Sequence, residues 1–574
     1  MDEILHKAFI TGVERVAAWA DLLDSINVFP VADGDTGRNL TISLTPMLAG
    51  HQDKETVIRQ LLLSARGNSG NIAARFFSAF YRVDSWQNLY SCVQEGNRRA
   101  WTAVNDPRPG TMLTVFDKLA EFLTASKALP DQKVIDSIIY HLEKSVHDTS
   151  EMLPKLKQAG VVDAGALGMY IFFGGFFYSL LEKAHEYQPI TELFKNKLHI
   201  SSAFHENAGS GYCIDFVVKA QNFSEKKLAK ITRNQESVIV IPEGDLYKIH
   251  LHTENREKIR DEVAKFGSMV NWEDDNVNQQ INEFMSAKSN KMLHIMTDAA
   301  GSLTRADAKK NDITLLHSYI TLGEKCLPET HFHSGELYAA MRQGIKVSTS
   351  QASVFERHQF YESALARFDR VLYLCVGSVY TGNYSTAVEW KRKHDLQNRF
   401  VVVDTGAASG RLAVIVLATA RYLTKTNDAE KTIIFANKAL HACEEYVFLD
   451  KLEYLAAGGR LSKTSAFFGD MLKMKPVVSP QPEGAKKIGV VRNGEEQIKM
   501  ACERLKASLK KETKALIMLE YSDNYDLVNG TIKPLIASDF PQAEIIVQPL
   551  SLTSGAHTGP GTWAIAFIPE LEKL

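Results

Sequence analysis

The sequence predicts a multidomain protein with a helical first part, a small α/β middle part and a longer α/β last part. One reason is length, because 574 residues correspond to about three domains at roughly 100–200 residues each. Another is the spacing of apolar residues, which changes character near Leu193 and again near Met292. We therefore predict domains at residues 1–188, 189–290 and 291–574.

Apolar residues in the first part recur at three- and four-residue steps, which is typical of one face of an α-helix. One such series is Val134, Ile138, Leu142 and Val146. The stretch Ala164–Leu181 has no charged residue and is close to the lower length limit for a membrane span. Because glycines interrupt this stretch and no comparable run occurs elsewhere, we favour a buried bundle helix over a single span.

Short segments rich in β-branched residues predict strands in the middle part. A polar linker, Met285–Lys291, separates this part from the last, where apolar strand-like runs alternate with helical patterns. That alternation predicts helices packed around a largely parallel sheet. The predicted strands are Tyr212–Val218, Ser237–Ile241, Tyr247–His252, Leu293–Met296, Val371–Cys375, Phe400–Val403, Ala515–Leu519 and Ile545–Val547.

Charge and cysteine content argue against several classes of protein. Lys and Arg number 66 against 68 Asp and Glu, whereas a dedicated nucleic-acid-binding protein usually has a basic excess. Six cysteines are too few for a disulfide-rich scaffold. The sequence begins Met1-Asp2-Glu3, without the basic and apolar regions of a secretory signal. We therefore expect a cytoplasmic protein with no nucleic-acid partner.

Two carboxylates bracket a single glycine in the segment Asn27-Val-Phe-Pro-Val-Ala-Asp33-Gly-Asp35-Thr36-Gly37. Closely spaced carboxylates suit Mg²⁺, which is usually held by one or two carboxylates together with substrate phosphates. Taken alone, the segment is better explained as a polar turn, since Asp-Gly is a common turn sequence.

Three glycine-containing loops at predicted helix starts change that balance. They are Ser64–Gly70, Gly110–Leu113 and Ala159–Gly165. Backbone N–H groups in such a loop, together with a helix N-terminus, bind phosphate well. None of the three has the spacing of a P-loop or of a dinucleotide-binding fingerprint.

Together these four loops resemble the nucleotide-binding (L-type, DhaL-like) subunit of dihydroxyacetone kinases and, more closely, the kinase subunit of bacterial fatty acid kinases. The resemblance covers about residues 1–185 and implies an all-α nucleotide domain that binds ATP and Mg²⁺. Two residues depart from the family pattern, Arg38 and Asn71. Asp33 and Asp35 are the implied Mg²⁺ ligands and catalytic residues, with Asn27 as a further ligand. The implied nucleotide contacts are Thr36, Asn39, Asn68, Ser69, Gly70, Thr111, Met112 and Asp163.

A cysteine and a His-x-His pair occupy predicted strands of the middle part. Alternation along a strand places His250 and His252 on one face, and a neighbouring strand can bring Cys213 beside them. One Cys and two His residues form an acceptable zinc-ligand set with a fourth position open. Spacing alone slightly favours unrelated polar residues, but the kinase component of fatty acid kinases has a similar trio implicated in activity. A competing trio, Cys326, His331 and His333, reads as an exposed loop.

Short hydroxyl-, glycine- and histidine-containing motifs recur in the last part. They include Ser348-Thr349-Ser350-Gln351, Gly377-Ser378, Gly458-Gly459-Arg460 and Gly555-Ala-His557-Thr558-Gly559-Pro560-Gly561. Hydroxyl, guanidinium and imidazole groups are the donors that an anionic headgroup needs. Each motif alone can be a capped turn, and for Thr297-Asp298 that explanation is strong.

Residues 292–574 resemble the DegV family, the acyl-binding component of fatty acid kinase, which implies a two-lobed α/β fold. In that family a fatty acid lies between two lobes with its carboxylate near the surface. Ala352 and Ala299 depart from the family pattern, as do Thr381 and Asn383. The implied substrate-binding residues are Thr349, Ser350, Ser378, Arg460, Arg492, His557 and Thr558, and Arg460 is also an implied catalytic residue.

The combined resemblance implies an ATP-dependent kinase that converts a long-chain fatty acid to acyl phosphate. Two alternatives remain open at this level: a non-catalytic lipid-binding or regulatory protein, and a kinase for a small polyol or other hydroxylated metabolite. The expected partners are ATP and a fatty acid, with transient contact to a membrane surface and homodimerisation as further hypotheses. The intact pair Asp33 and Asp35 favours catalysis, because a non-catalytic relative is free to lose it.

Overall fold

The computed structural model describes residues 3–48, 53–104, 106–125, 131–182, 188–206, 211–219, 231–232, 235–265, 267–286, 292–457 and 474–571. The chain divides into two compact units, Met1–Lys288 and Ser289–Leu574. The predicted linker begins inside a helix, Val277–Ser286, and residues 287–291 lie outside the described part.

Helices build the first part of unit 1, as their apolar spacing predicts. They are α1 (Glu3–Ala18), α2 (Ala20–Ser25), α3 (Thr36–Leu44), α4 (Lys54–Ser64), α5 (Gly67–Phe80), α6 (Trp86–Trp101), α7 (Met112–Ala125), α8 (Gln132–Met152), α9 (Pro154–Ala159), α10 (Ala164–Leu180) and α11 (Ile190–Leu193).

The uncharged stretch forms α10, which is buried almost throughout and packs along α1. A Cβ atom on Gly175 would lie 3.0 Å from the Cα atom of Gly12, so glycine lets these two helices approach closely. Phenylalanine rings fill the surrounding core, and Phe76 stacks on Phe116 with centroids 3.9 Å apart. Within the described ranges, no helix combines the length and apolar character needed to cross a membrane.

An antiparallel sheet follows in unit 1, with the described strands in the order β2-β3-β1-β4. One of its faces, with Ile214, Phe216 and Ile249, forms a small hydrophobic core. Antiparallel pairing sets Cys213 opposite His252 on the other face. The elements are β1 (Tyr212–Lys219), β2 (Glu236–Glu243), β3 (Leu246–Thr253), α12 (Arg256–Ala264), β4 (Ser268–Asn276) and α13 (Val277–Ser286).

Unit 2 is α/β, as predicted, and contains three sheets in its described part, whereas the alternation of strand-like and helical runs alone predicts one largely parallel sheet. One has the order β11-β10-β5-β6 and is parallel throughout, another has the order β14-β13-β12-β17-β15-β16 and is mainly antiparallel, and the third is β8-β7-β9. The prediction missed the mixed sheet because apolar runs do not encode strand direction. The strands are β5 (His294–Asp298), β6 (Ile313–Leu316), β7 (Ser318–Leu322), β8 (Lys325–Pro328), β9 (Val347–Gln351), β10 (Val371–Cys375), β11 (Phe400–Asp404), β12 (Glu444–Phe448), β13 (Lys475–Gln481), β14 (Gly484–Val491), β15 (Ala515–Tyr521), β16 (Glu544–Pro549) and β17 (Trp563–Pro569).

A long buried helix, α18 (Ser409–Thr426), shares one core with both larger sheets of unit 2. Its Leu412 and Ile415 belong to the same cluster as Leu374 of the parallel sheet and Met518 of the mixed sheet. The other helices are α14 (Arg305–Asn311), α15 (Ser334–Arg342), α16 (Val354–Arg367), α17 (Asn383–His394), α19 (Ala429–Ala442), α20 (Glu453–Ala457), α21 (Gly494–Ser508), α22 (Tyr525–Leu527), α23 (Lys533–Asp539) and α24 (Leu552–Thr558).

Candidate functional site

The acidic loop lies between α2 and α3 and turns at Gly34, whose φ of 65° favours glycine. Asn27 donates from Nδ2 to Asp33 Oδ1 at 2.5 Å. Thr36 Oγ1 in turn donates to Asn27 Oδ1 at 2.6 Å. This chain of hydrogen bonds fixes the orientation of the Asn27 amide and of one oxygen of Asp33.

The two loop carboxylates repel one another in a partly desolvated setting. Burial, followed by the charge of Asp35, raises the pKa of Asp33 well above its usual range. Burial also raises the pKa of Asp35, against the opposing effects of Arg38 and of a hydrogen bond from Asn39. A divalent cation between these oxygens would remove the repulsion, so the donor set fits Mg²⁺.

The glycine loop that opens α5 lines one cavity together with the acidic loop. Asn68 and Ser69 are the second and third residues of the helix, where N–H groups lack partners within the helix. Gly70 has a structural role instead, because its N–H donates to the Arg66 carbonyl at 3.0 Å. A Cβ atom on Gly70 would lie 2.1 Å from Ser43 Oγ, so glycine is needed for α5 to pack on α3.

One cavity of about 600 Å³ collects most of the sequence-predicted nucleotide residues. Asp163 caps α10 by accepting from the Ala166 N–H at 2.7 Å, and burial raises its pKa to about 7. Thr111 Oγ1 donates to the Arg108 carbonyl at 2.8 Å beside the start of α7. The predicted residues that line the cavity are Asn27, Asp33, Asp35, Thr36, Asn39, Asn68, Ser69, Thr111, Met112, Asp163, Cys213 and His252.

Two arginines of the nucleotide loops are held by acidic residues of β4. Arg38 Nη2 lies 2.5 Å from Asp275 Oδ2, and Arg66 Nη2 lies 2.6 Å from Glu273 Oε1. The sequence left open whether Arg38 contacts phosphate or faces solvent, and the structure places it in an ion pair. These pairs tie β4 to both loops.

Cys213, His250 and His252 come together on the sheet face that meets the helical part. One potential ligand atom from each lies within 4.8 Å of the others. Burial lowers the pKa of His252 to about 4, so its ring is neutral and able to bind a metal at pH 7. Among the described residues, these three form the group of possible metal ligands whose atoms lie this close together. In the competing trio, His331 instead contacts Arg305 at 2.9 Å.

Asp215 is a further buried residue of this site, which was not predicted from the sequence. It lies opposite His250 in the β1–β3 pairing and accepts the Gly67 N–H at 2.9 Å. Burial acts to raise its pKa, but Lys248 and His250 outweigh that effect and hold the pKa well below its usual range. The sequence signal for Asp215 is strand alternation, which places residues 213 and 215 on the same face of β1.

In unit 2 the structure brings together two of the predicted headgroup residues. Thr349 on β9 lies beside His557 on α24, with Oγ1 and Nε2 3.1 Å apart. Ser350 follows on β9 and is exposed. Thr558 Oγ1 donates to the Ser554 carbonyl at 2.9 Å within its own helix.

Other predicted headgroup residues make their contacts elsewhere. Ser378 is exposed on the turn after β10, and its N–H donates to Asp404 Oδ1 at 3.0 Å. Arg492 is exposed, and its N–H donates to Glu496 Oε2 at 2.7 Å. Arg460 lies outside the described residues.

The Thr297-Asp298 motif has a structural role, but it forms the end of strand β5 rather than the capped turn favoured from the sequence. Thr297 Oγ1 donates to the Leu374 carbonyl at 2.8 Å. Asp298 accepts hydrogen bonds from Tyr373, Val376 and Asn383, each at 2.7 Å. These contacts fix the carboxyl ends of β5 and β10.

Comparison with protein families assigns each part of the chain. Residues 30–177 match the DAK2 domain, residues 209–284 match the FakA-like middle domain of fatty acid kinase, and residues 292–570 match the DegV family, which is described as uncharacterised.

Comparison with individual proteins gives distant relatives. An uncharacterized protein of Staphylococcus haemolyticus is 29% identical over 304 residues, which is 48% of this chain and 54% of that protein. One of Staphylococcus saprophyticus is 27% identical over 370 residues, which is 58% of this chain and 64% of that protein. The chain thus spans less than two thirds of the length of these relatives.

Solved structures similar to this chain cover about half of it. A DegV family protein from Thermus thermophilus, described by its fatty acid binding, has a TM-score of 0.45 and 23% identity, covering 49% of this chain and 100% of its own. DegV from Bacillus subtilis, described as a fatty acid binding protein, has a TM-score of 0.45 and 19% identity, with the same coverage.

Proposed function

Since the chain carries a DAK2 domain, a FakA-like middle domain and a DegV-family domain, we propose that it is an ATP-dependent fatty acid kinase. The reaction would transfer the γ-phosphoryl group of ATP to a fatty acid carboxylate, giving acyl phosphate and ADP. The observation that carries the proposal is the cavity in which Asp33 and Asp35 face Asn68 and Ser69.

The nucleotide side of the reaction requires positioning and neutralisation of charge. When bound, Mg²⁺ neutralises part of the phosphate charge and polarises the transferred group. In this chain Asp33 and Asp35 would hold the metal, and the hydrogen bond from Asn27 keeps Asp33 in place. The first N–H groups of α5 would orient the phosphates.

The acceptor side requires little from the protein beyond binding. A carboxylic acid with a pKa of about 4–5 is ionised at pH 7, so the nucleophile needs no general base. In unit 2, Thr349 and His557 would bind that carboxylate, because a hydroxyl and an imidazole N–H both donate hydrogen bonds. Arg460 and Arg492 remain proposed contacts of the acyl phosphate.

A direct assay separates this proposal from its alternatives. Purified full-length protein would be incubated with ATP, Mg²⁺ and either a long-chain acid or a polyol such as dihydroxyacetone. Trapping of acyl phosphate by hydroxylamine, with matching ADP release, supports the fatty acid kinase. Phosphorylation of the polyol supports a hydroxyl kinase, and acid binding without ADP release supports a lipid-binding or regulatory protein.

We further propose that Cys213, His250 and His252 bind zinc as part of this site. Their ligand atoms are gathered within 4.8 Å, and the buried Nε2 of His250 has no hydrogen-bond partner among the described groups. Cys, His and His is a suitable zinc set. Metal analysis should find about one zinc per chain, reduced by Cys213→Ala, and an active protein without zinc would reject the assignment.

A further inference from the structure

Both oxygens of the buried Asp215 carboxylate are engaged by groups from two sides. Oδ2 accepts from the Gly67 N–H at 2.9 Å and lies 3.2 Å from His250 Nδ1. Oδ1 lies 2.8 Å from Lys248 Nζ and 3.4 Å from Asn71 Nδ2. Asp215 therefore contacts both the metal-ligand cluster and the start of α5.

The contact with Asp215 determines which nitrogen of His250 is left for a metal. His250 Nδ1 lies 3.2 Å from Asp215 Oδ2, and because a carboxylate oxygen accepts hydrogen bonds, this contact is made with a proton on Nδ1. Nε2 then carries the lone pair, and this atom is buried without a hydrogen-bond partner among the described groups. A carboxylate that accepts a hydrogen bond from the other ring nitrogen commonly orients a metal-binding histidine.

The other contact determines where the glycine loop begins. Gly67 has a φ of 58° and is the first residue of α5. Its N–H points to Asp215, while the next two residues, Asn68 and Ser69, line the nucleotide cavity. The direction of the Gly67 peptide is thus fixed by a residue of the middle sheet.

The two remaining contacts restrain the carboxylate itself. Lys248 and Asn71 both approach Oδ1, and all three side chains are buried. Rotation of Asp215 would leave these buried polar groups without their hydrogen-bond partner, which is unfavourable. Lys248 and Asn71 thus engage Oδ1, while Oδ2 is shared between His250 and the Gly67 N–H.

We propose that Asp215 is a positioning residue that couples metal binding at Cys213, His250 and His252 to the order of the phosphate loop at Gly67–Gly70. This inference rests on the zinc and nucleotide sites of the proposed function. Asp215 would hold the Nδ1–H of His250, and zinc bound by the trio would make this N–H a stronger hydrogen-bond donor to Asp215. The localised carboxylate would then hold the Gly67 N–H more firmly, so zinc binding should order the loop Gly67–Gly70. Because coupling between two binding sites is reciprocal, nucleotide binding should also increase the affinity for zinc.

Hydrogen–deuterium exchange of the full-length protein tests the coupling without any nucleotide or turnover. In the wild type, saturating Zn²⁺ should slow amide exchange in peptides covering residues 64–71 by at least threefold. Asp215→Asn should abolish this protection and weaken zinc binding roughly tenfold to hundredfold in a competition assay with a chromophoric chelator. Protection would be compared at zinc saturation for each variant.

Asp274→Asn is the matched control. Asp274 lies on the neighbouring strand β4 and contacts Arg256 and Trp272. This variant should keep both the zinc affinity and the protection of the loop. Because Asp215→Asn leaves Lys248 buried without its anion, the double variant Asp215→Asn/Lys248→Met provides a second test that avoids an unpaired buried charge.

Each outcome bears on the coupling. Zinc binding to the wild type without slower loop exchange would overturn it, as would protection that persists in both Asp215 variants. Failure of the wild type to bind zinc would overturn it together with the zinc site. Zinc-dependent protection in a protein that forms no acyl phosphate would support the coupling while rejecting the fatty acid kinase.

Discussion

Asn27 and Asp33 are joined by a hydrogen bond from Asn27 Nδ2 to Asp33 Oδ1 of 2.5 Å. They lie six positions apart in the sequence, and a hydrogen bond from Thr36 Oγ1 to Asn27 Oδ1 orients the Asn27 amide. The Asp33 oxygens are therefore held close to Asp35 although burial and repulsion raise the pKa of Asp33. A site that keeps two carboxylates together at this cost is arranged to receive a cation.

The first prediction concerns Asp33→Asn. Removing one charge relieves the repulsion with Asp35, so the melting temperature without ligand should equal or exceed that of the wild type. The variant should lose most of the stabilisation that MgATP gives the wild type, which is about 2.7 kcal/mol at a hundredfold excess over Kd. Differential scanning fluorimetry with and without MgATP measures both effects, and acyl phosphate formation should be lost.

Asp148→Asn provides the control for this experiment, because Asp148 is exposed on α8 of the same helical part. It should retain the MgATP-dependent stabilisation. If Asp33→Asn kept both that stabilisation and near-normal turnover, the assignment of Asp33 as a metal ligand would be wrong.

The second prediction concerns the pair Thr349 and His557. Replacing His557 by Ala should weaken binding of a long-chain acid roughly tenfold to hundredfold, since a hydrogen bond to a charged group contributes about 1.5–3 kcal/mol. Thr349→Val should also weaken binding, because its hydroxyl would donate to the same charged carboxylate. Isothermal titration with the acid measures both, and nucleotide affinity should not change.

Thr424→Val is the matched control for Thr349→Val, because the Thr424 hydroxyl bonds to the Ala420 carbonyl within its own helix. Affinity for the acid should be the same as in the wild type. Unchanged affinity in His557→Ala would show that the carboxylate is bound elsewhere in unit 2.

The third prediction is a pH dependence of stability that arises from Glu445 and Glu520. Both side chains are fully buried, and Glu445 also accepts N–H bonds from Gly410 and Arg411. Burial, followed by the charge of Glu520, raises the pKa of Glu445 well above its usual range. Above about pH 4, where glutamate in the unfolded chain loses its proton, the folded protein therefore binds more protons than the unfolded chain. Its free energy of unfolding consequently falls as the pH rises from about 4 toward the raised pKa of Glu445.

Glu520→Gln should reduce this loss, because it removes the neighbouring charge, its carbonyl oxygen can still accept from the Ser409 hydroxyl, and its amide N–H can donate to Glu445. Its melting temperature should exceed that of the wild type by several degrees near pH 8 and by less near pH 5. Glu444→Gln is the control, since Glu444 is only partly buried and contacts the Tyr446 hydroxyl. A difference that grows toward acid pH instead would contradict the sign of the pKa shift.

The fourth prediction tests whether phosphoryl transfer takes place within one chain. A short flexible tether gives two linked domains an effective concentration on the order of millimolar. Specific activity at saturating substrates should therefore stay constant when the enzyme is diluted from micromolar to nanomolar. A decline that follows dissociation measured by light scattering would instead indicate transfer across a homodimer.

Local sequence patterns predicted the secondary structure well. The strand predicted at Val371–Cys375 has those bounds in the structure, and the uncharged stretch ending at Leu181 forms a buried helix, α10. Both features depend on side-chain spacing, which the sequence displays directly. The direction of strands in the mixed sheet could not be predicted in this way, because it depends on how distant strands pair.

The acidic and glycine loops and the Cys and His trio were predicted as candidate sites, and the structure brings residues of all the loops, together with Cys213 and His252, to one cavity. Asp215, however, was overlooked, although it lies two residues from Cys213. Its importance comes from contacts with Gly67, 148 positions earlier, and with Lys248. Strand alternation places Asp215 on the same face as Cys213, but no local pattern indicates these distant contacts.

The sequence by itself determined the residue types at the site and the order of the elements that carry them. Tertiary structure decided which of those groups form an ion pair or a hydrogen bond with one another. Examples are Arg38 with Asp275, Asp215 with Gly67, and Thr349 with His557. The physical reason is that periodicity and turn chemistry act over a few residues, whereas burial and electrostatic pairing depend on distance in space. A carboxylate's neighbours in the folded chain, rather than in the sequence, set its pKa and its partner.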